Sequence, residues 1–278
     1  MNDITQLSNL YDATQGIELA LPDELSRIYG SLRFPIQAGK PYVISNFVQS
    51  IDGVVTLDIP GHESGGDISG FNTHDRIVIG LLRAAADVVL ISAGSLRVNP
   101  QNTWTAGAIY PEFIQSYNEL RTQLKKPPKP PHVVVTASGK LDLSLPLFNS
   151  PDIPVLVLTT RVGEKYLAPQ NSLQKIKIVG LKSEGSLRST EIMEAVKNEF
   201  DPSLVLTEAG PHLTSFFIDD NCLDELFLTV APQVAGRDGL LNRWSFTHGK
   251  IFAPDNPRWG ELISIKQAGS HLFLRYSF

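Results

Sequence analysis

Two short junctions carry the residue types from which a binding site can be made. In VVLISAGSL (88–96) an apolar run ends in Ser92, Ala93, Gly94 and Ser95, and in LVLTEAGPHLTS (204–215) another ends in Glu208, Ala209, Gly210 and Pro211. Each reads as a buried strand meeting the start of a helix. There the first N–H groups lack intrahelical acceptors, and the helix dipole favours an anion. Glycine leaves the backbone open to phosphate oxygens because it has no Cβ. Pro211 suits the first helical turn, where its missing N–H costs little. Two such junctions on one sheet edge can hold a dinucleotide pyrophosphate or two separate phosphates. Neither reads G-x-G-x-x-G or G-x-x-x-x-G-K-[ST], which argues against a Rossmann or P-loop site. Glu208 sets a carboxylate beside these amides, either as an acid favoured at a helix start or as an acceptor for a polar ligand.

The remaining reactive types do not assemble into another site. His62, His74, His132, His212, His248 and His271 are scattered without metal-ligand spacing, and Cys222 is the only cysteine, so neither a Cys-rich zinc site nor an internal disulfide is expected. No nucleophile–histidine pair stands out. The chain has 278 residues, 42% of them hydrophobic and 19% charged, enough to bury a sizeable core. The net charge of −5 offers no basic field for nucleic acid. No apolar run approaches the roughly 20 residues that span a bilayer, and MNDITQLSNLYDATQGIELA lacks the basic start and apolar stretch of a signal peptide. A soluble cytoplasmic protein without nucleic-acid or membrane partners is the expectation.

The elements that must position the two junctions follow from pattern. LPDELSRIYGSLRF has apolar residues at Leu25, Ile28, Tyr29 and Leu32, a helical spacing. Residues 1–39 therefore read as a helical extension packed on the main body or on a second subunit, and 40–278 as the organised domain. PYVISNFVQSIDGVV opens as a strand and reaches a loop at Ser50–Gly53, and the glycine-rich 60–70 stretch reads as loop. THDRIVIGLLRAAA reads as a helix, Asp87–Ile91 as a compact strand, and PEFIQSYNELRTQLKK as a further helix. KPPKPP is a stiff connector. PHVVVTASG, PVLVLTT and SLVLTEAG read as strands, STEIMEAVKNEF as a helix, and CLDELFLTVAP with the tail ELISIKQAGSHLFLRYSF as closing strands. Strands alternating with helices, then strands without them, predict a mostly parallel α/β sheet finished by antiparallel strands.

In this order and spacing, PYVISNFVQSIDGVV, LLRAAADVVLISAGSLRVNP, VVVTASGKLDL, LVLTEAGPHLTSFF and LDELFLTVAPQVAG resemble the reductase family of riboflavin biosynthesis, from about Lys40 to the C-terminus. The resemblance implies a dihydrofolate-reductase-like fold and a homodimer. It also implies NADPH-dependent reduction of the ribose of a phosphoribosylamino-pyrimidine by hydride transfer to C1′. Another dihydrofolate-reductase-like oxidoreductase acting on a different heterocycle, or a non-catalytic NADPH-binding homologue, are the alternatives. Many members carry a zinc deaminase domain, whose ligands cannot exist in a chain with one cysteine.

By resemblance, Glu208 contacts substrate, and Gly210, Pro211, His212, Leu213 and Thr214 hold cofactor phosphates. Gly94 and Ser95 form the second cofactor loop, and Ser138 lies near a further contact. Arg97 either pairs with the 2′-phosphate that marks NADPH, as a guanidinium suits phosphate, or is a surface arginine. Arg83 falls at a substrate-binding position, where the plain alternative is a cation at a helix C-terminus. Asp52 matches a loop acid near the reacting ribose, where the plain alternative is a turn residue before glycine. Asp52 and Glu208 are thus the catalytic candidates. The chain departs from the family where substrate is held: Val54 replaces a Lys or Arg, Asn99 replaces an acid, and Thr105 stands at a substrate-binding arginine.

Overall fold

The structure is a computed structural model and describes residues 4–35, 37, 39–171, 176–183 and 185–278. Its strands are β1 (Ser8–Asp12), β2 (Ile17–Glu18), β3 (Arg33–Phe34), β4 (Tyr42–Gln49), β5 (Val88–Ser92), β6 (His132–Thr136), β7 (Val155–Thr160), β8 (Lys177–Leu181), β9 (Leu204–Thr207), β10 (Glu225–Val230), β11 (Glu261–Ala268) and β12 (His271–Ser277). Ten of them form one sheet in the order β1-β11-β12-β10-β4-β9-β5-β6-β7-β8, while β2 and β3 pair separately. From β10 to β8 every pairing is parallel. Beyond β10, the strands β12, β11 and β1 pair antiparallel. This is the mostly parallel α/β sheet with antiparallel closing strands that the pattern predicts.

The central strands are apolar on both faces because helices cover both, as expected of a parallel sheet. Successive side chains alternate faces. Tyr42, Ile44, Val89, Ile91, Val134, Leu204 and Leu206 enter one core with Leu81 and Leu82 of the helix Thr73–Ala85. Val43, Val88, Leu90, Val133, Val135 and Val205 enter the other with Ile192 and Val196 of Ser189–Phe200 and with Phe217 of Pro211–Asp219. Each fully buried leucine or valine contributes roughly 1.5–3 kcal/mol. Gly80 lets the helix Ile114–Gln123 approach Thr73–Ala85 closely, since a Cβ there would sit 2.3 Å from the Tyr117 hydroxyl.

The N-terminal segment holds the helix read from its spacing, at Asp23–Tyr29, with Leu25 and Ile28 fully buried in the first core. It also supplies strands the pattern did not indicate. β1 pairs with β11 and covers a sheet edge that would otherwise present unpaired amides and carbonyls. Its five residues are all exposed, so no apolar alternation marks it. Among the described residues, no helix is long and apolar enough to cross a membrane.

The chain order creates the site. β4 leads through Thr73–Ala85 to β5, but β9 later inserts between β4 and β5. The loops after β9 and β5 are therefore neighbours at one carboxyl edge, where open α/β sheets bind ligands.

Candidate functional site

The two glycine junctions meet. β5 and β9 run in register from Val88 opposite Val205 to Leu90 opposite Thr207. The Glu208 amide donates to the Leu90 carbonyl at 2.8 Å, and the Ser95 hydroxyl donates to the Glu208 carbonyl at 3.4 Å. β6 pairs on the far side of β5, placing Ala137, Ser138 and Gly139 on the same rim. The Thr160 hydroxyl holds that loop through the Ala137 carbonyl at 2.8 Å.

The helix Pro211–Asp219 starts without a side-chain cap, with proline in its first turn and no acid there. A Cβ built on Gly210 would meet nothing within 4 Å, so open space faces that backbone. At the neighbouring junction Ser92 caps the turn, accepting from the Ser95 amide at 3.3 Å. The Arg97 guanidinium folds back to within 3.8 Å of where a Gly94 Cβ would lie. Open backbone at Gly210 and a guanidinium beside Gly94 are groups that suit a phosphorylated dinucleotide.

The other expected cofactor residues divide. His212 and Ser138 are exposed on the rim. Leu213 and Thr214 lie inside: Leu213 joins the second core, and the Thr214 hydroxyl donates to the Ala209 and Gly210 carbonyls at 3.3 Å each. These two support the turn from beneath. The segment after β10 adds a wall that no sequence pattern announced. Trp244 stacks on His248 at 4.3 Å and 17°, and His212 lies 6.4 Å from His248 and 5.3 Å from Phe216. The His248 amide donates to the Ser215 hydroxyl at 2.7 Å, and the Val55 amide to the Trp244 carbonyl at 2.9 Å. This arm ties the loop after β4 to the helix beside Gly210.

Arg83 and Glu208, the two residues expected to face substrate, are brought together. Arg83 donates through Nε and Nη2 to the two Glu208 carboxylate oxygens at 2.6 and 2.7 Å, and through Nη1 to the Thr105 carbonyl at 3.2 Å. Arg83 is 2% exposed, so the pair is a buried fork fixing the carboxylate's orientation. Asp52 is committed to loop structure. It accepts from the Ser50 hydroxyl at 2.6 Å and from the Ala235 and Gly236 amides at 3.0 and 2.8 Å. The Ser50 hydroxyl is the main reason its pKa falls to about 2, aided by these amides. Val54 is fully buried among Val48, Ile68 and Ala231, an apolar contact where the resemblance implies a cation. Thr105 supports Arg83 through its carbonyl.

Two polar residues that sequence reasoning passed over share this face. Asp75, in the first turn of Thr73–Ala85, is 2% exposed. Burial raises its pKa to about 6; the Thr229 and Ser69 hydroxyls oppose the rise, and the Glu208 charge adds to it. Asn46 pairs with Phe227 in the β4–β10 register and follows Ser45, which lies opposite Thr207. Asn46 therefore points to the Glu208 face. It is half-buried, and its carboxamide has no hydrogen-bond partner among the described residues.

A cavity of about 540 Å³ lies at the opposite edge of the sheet, lined by Phe34, Tyr42 and Leu204 with Lys40, Lys126 and Lys197. Those lysines are held by Asp224, Asp87 and the Gly39 carbonyl respectively, so the convergent chemistry remains at the carboxyl rim. Among the described residues no group of three or more His, Cys, Asp or Glu could hold a metal ion.

Comparison with known proteins bears on the whole arrangement. A family model described as the RibD C-terminal domain matches residues 41–249. No curated protein matches the chain. RibD of Acinetobacter baumannii has a TM-score of 0.66 at 17% identity, over 86% of this chain and 58% of that one. A pyrimidine reductase-like protein of Corynebacterium diphtheriae has a TM-score of 0.64 at 21% identity, over 85% of this chain and 91% of that one. The deaminase/5-amino-6-(5-phosphoribosylamino)uracil reductase of Thermotoga maritima has a TM-score of 0.58 at 17% identity, over 86% and 56%. At these identities the likenesses establish a shared fold. The chain spans little more than half of the Acinetobacter and Thermotoga proteins.

Proposed function

The chain belongs to the RibD C-terminal domain family, and on that premise we propose that it is an NADPH-dependent reductase of a phosphoribosylamino-pyrimidine or a related heterocycle. The observation that carries the reading is the contact between the two glycine junctions, with open space at Gly210. Gly210, Pro211 and His212 hold one part of the cofactor's phosphates, and Gly94, Ser95 and Ser138 the other. Arg97 meets the 2′-phosphate, while Leu213 and Thr214 keep the turn in shape. When bound, the cofactor supplies the hydride, delivered to ribose C1′ in the proposed reaction.

The chain's own residues position and exclude. Glu208, locked by Arg83, accepts hydrogen bonds from the substrate without swinging away. Asp52 fixes the loop after β4 against Ala235 and Gly236, next to the reacting groups. The Trp244–His248 arm limits water on the cofactor side. Such a transfer relies on alignment more than on acid–base groups. A soluble cytoplasmic homodimer completes the proposal, with residues 1–39 as an extension of the 40–278 reductase domain. The burial of Val54 and the engagement of Thr105 favour the second reading, a heterocycle other than the phosphoribosylamino-pyrimidine.

NADPH absorbance followed with the phosphoribosylamino-pyrimidine, and separately with dihydrofolate, tests the reading. Oxidation with either substrate supports a reductase. Binding without oxidation by either leaves a non-catalytic cofactor-binding protein.

A further inference from the structure

We propose that the cavity at the amino edge of the sheet is a second ligand site, taking an aromatic acid that also carries a hydrogen-bond donor. It is separate from the carboxyl rim and stands whether or not the rim holds NADPH.

The cavity forms where the N-terminal extension meets the body. Leu19 and Phe34, from the β2–β3 segment, contribute lining and lie outside the family match of residues 41–249. Tyr42 and Leu204, paired as the first residues of β4 and β9, contribute lining from the sheet. The volume of about 540 Å³ falls within the roughly 300–1,000 Å³ of small-molecule pockets, which favour seams of this kind and apolar walls with a few polar groups. The Phe34 and Tyr42 rings lie 6.0 Å apart and tilted by 54°, a pair that a third ring can extend through edge-to-face contact.

The polar groups define the rest of the ligand. Lys40, Lys126 and Lys197 line the cavity, and among the described residues the one acid in its lining is Asp201, which is exposed. Lys126 is committed to Asp87 at 2.9 Å. The other two lysines are held less firmly. Lys197 meets a neutral group, the Gly39 carbonyl. Lys40 reaches Asp224 at 3.4 Å with 62% of its side chain exposed, and that carboxylate already accepts from Gln37 Nε2 and the Val43 amide at 2.8 Å each. Exposed pairs of this kind are weak, and an ammonium has three donors, so both lysines can turn to a carboxylate in the cavity.

Gln37 also lines the cavity. Its Nε2 bond to Asp224 fixes the carboxamide, which leaves Oε1 as an acceptor that is buried and has no partner among the described residues. A buried acceptor left unpaired is costly, and a hydroxyl on the ligand satisfies it. Aromatic walls, two available ammonium groups and one orphaned acceptor together describe a hydroxyaryl carboxylate.

Calorimetric titration of the full chain with 6-hydroxy-2-naphthoate, with its neutral amide and with 2-naphthoate tests this. The expected result is one saturable site, at least about tenfold weaker for the amide and weaker by a smaller factor for 2-naphthoate. Excess NADPH should leave the titration unchanged. The double variant Lys40→Gln/Lys197→Gln, at two exposed positions, should bind the acid and the amide alike. Ser203→Trp should fill the cavity and abolish binding, since Ser203 is exposed and belongs to the lining. Absence of saturable binding, affinity that survives loss of the carboxylate or the hydroxyl, a preference for the acid that persists in the lysine variant, or displacement by NADPH overturns the proposal.

Discussion

Arg83 holds both carboxylate oxygens of Glu208 across the space between the helix Thr73–Ala85 and the end of β9, and almost no solvent reaches the guanidinium. Removing one partner of a buried ion pair leaves an uncompensated charge and typically costs about 3–5 kcal/mol. Arg83→Ala and Glu208→Ala should each destabilise the protein by that order in urea denaturation. The double variant should lose less than the sum, with a coupling of about 0.5–3 kcal/mol. Additive losses would show that the two residues act separately.

Asp75 sets a pH dependence of stability. Its pKa is raised from 3.8 to about 6 in the folded chain, chiefly by burial. Between those values the folded state holds a proton that the unfolded state has released, so this group lowers stability as pH rises from about 4 to 6. Asp75→Asn should flatten that part of the profile and raise Tm relative to the parent above pH 6. Thermal melts at half-unit pH intervals give the difference curve. Parallel curves would place the carboxyl in an ordinary solvated setting.

Asp52 has the opposite sign. Its folded pKa falls to about 2, first through the Ser50 hydroxyl and then through the Ala235 and Gly236 amides. Its contribution is present above the unfolded value near 4 and is lost as pH falls toward 2. Asp52→Ala should detach the 235–237 segment, visible as faster amide exchange at Ala235 and Gly236 at pH 7. Unchanged exchange there would mean that other contacts suffice to hold the loop.

The fold was legible where residues repeat with a period. The alternation in β4, β5 and β9 and the helical spacing of Thr73–Ala85 sort side chains between two cores, and a parallel sheet follows. β1 was not legible, because its exposed residues pair through backbone alone. Gly210 and Gly94 announced themselves through glycine beside a strand end. Asp75 did not: an acid in a first helical turn reads as a response to the dipole, and only the tertiary fold reveals that it is buried beneath Thr229 and Ser69. Arg83 and Glu208 were each singled out, but their pairing depends on β9 inserting beside β5, a long-range event with no local signature. Leu213 and Thr214 follow Gly210 and His212 in the same short motif, and only their position in the helix directs them inward.

The central claim is that the loops after β5 and β9 jointly hold NADPH. The direct test is a titration of the parent and of Gly210→Ala, followed by quenching of tryptophan fluorescence, with Trp244 close to the proposed site. A methyl at Gly210 meets no protein atom within 4 Å, so the variant should fold and melt much as the parent does. The account predicts saturable binding to the parent and at least about tenfold weaker binding to Gly210→Ala, as expected when a methyl blocks phosphate from open amides. Absence of saturable binding to the parent, or equal affinity in the two proteins, would contradict it.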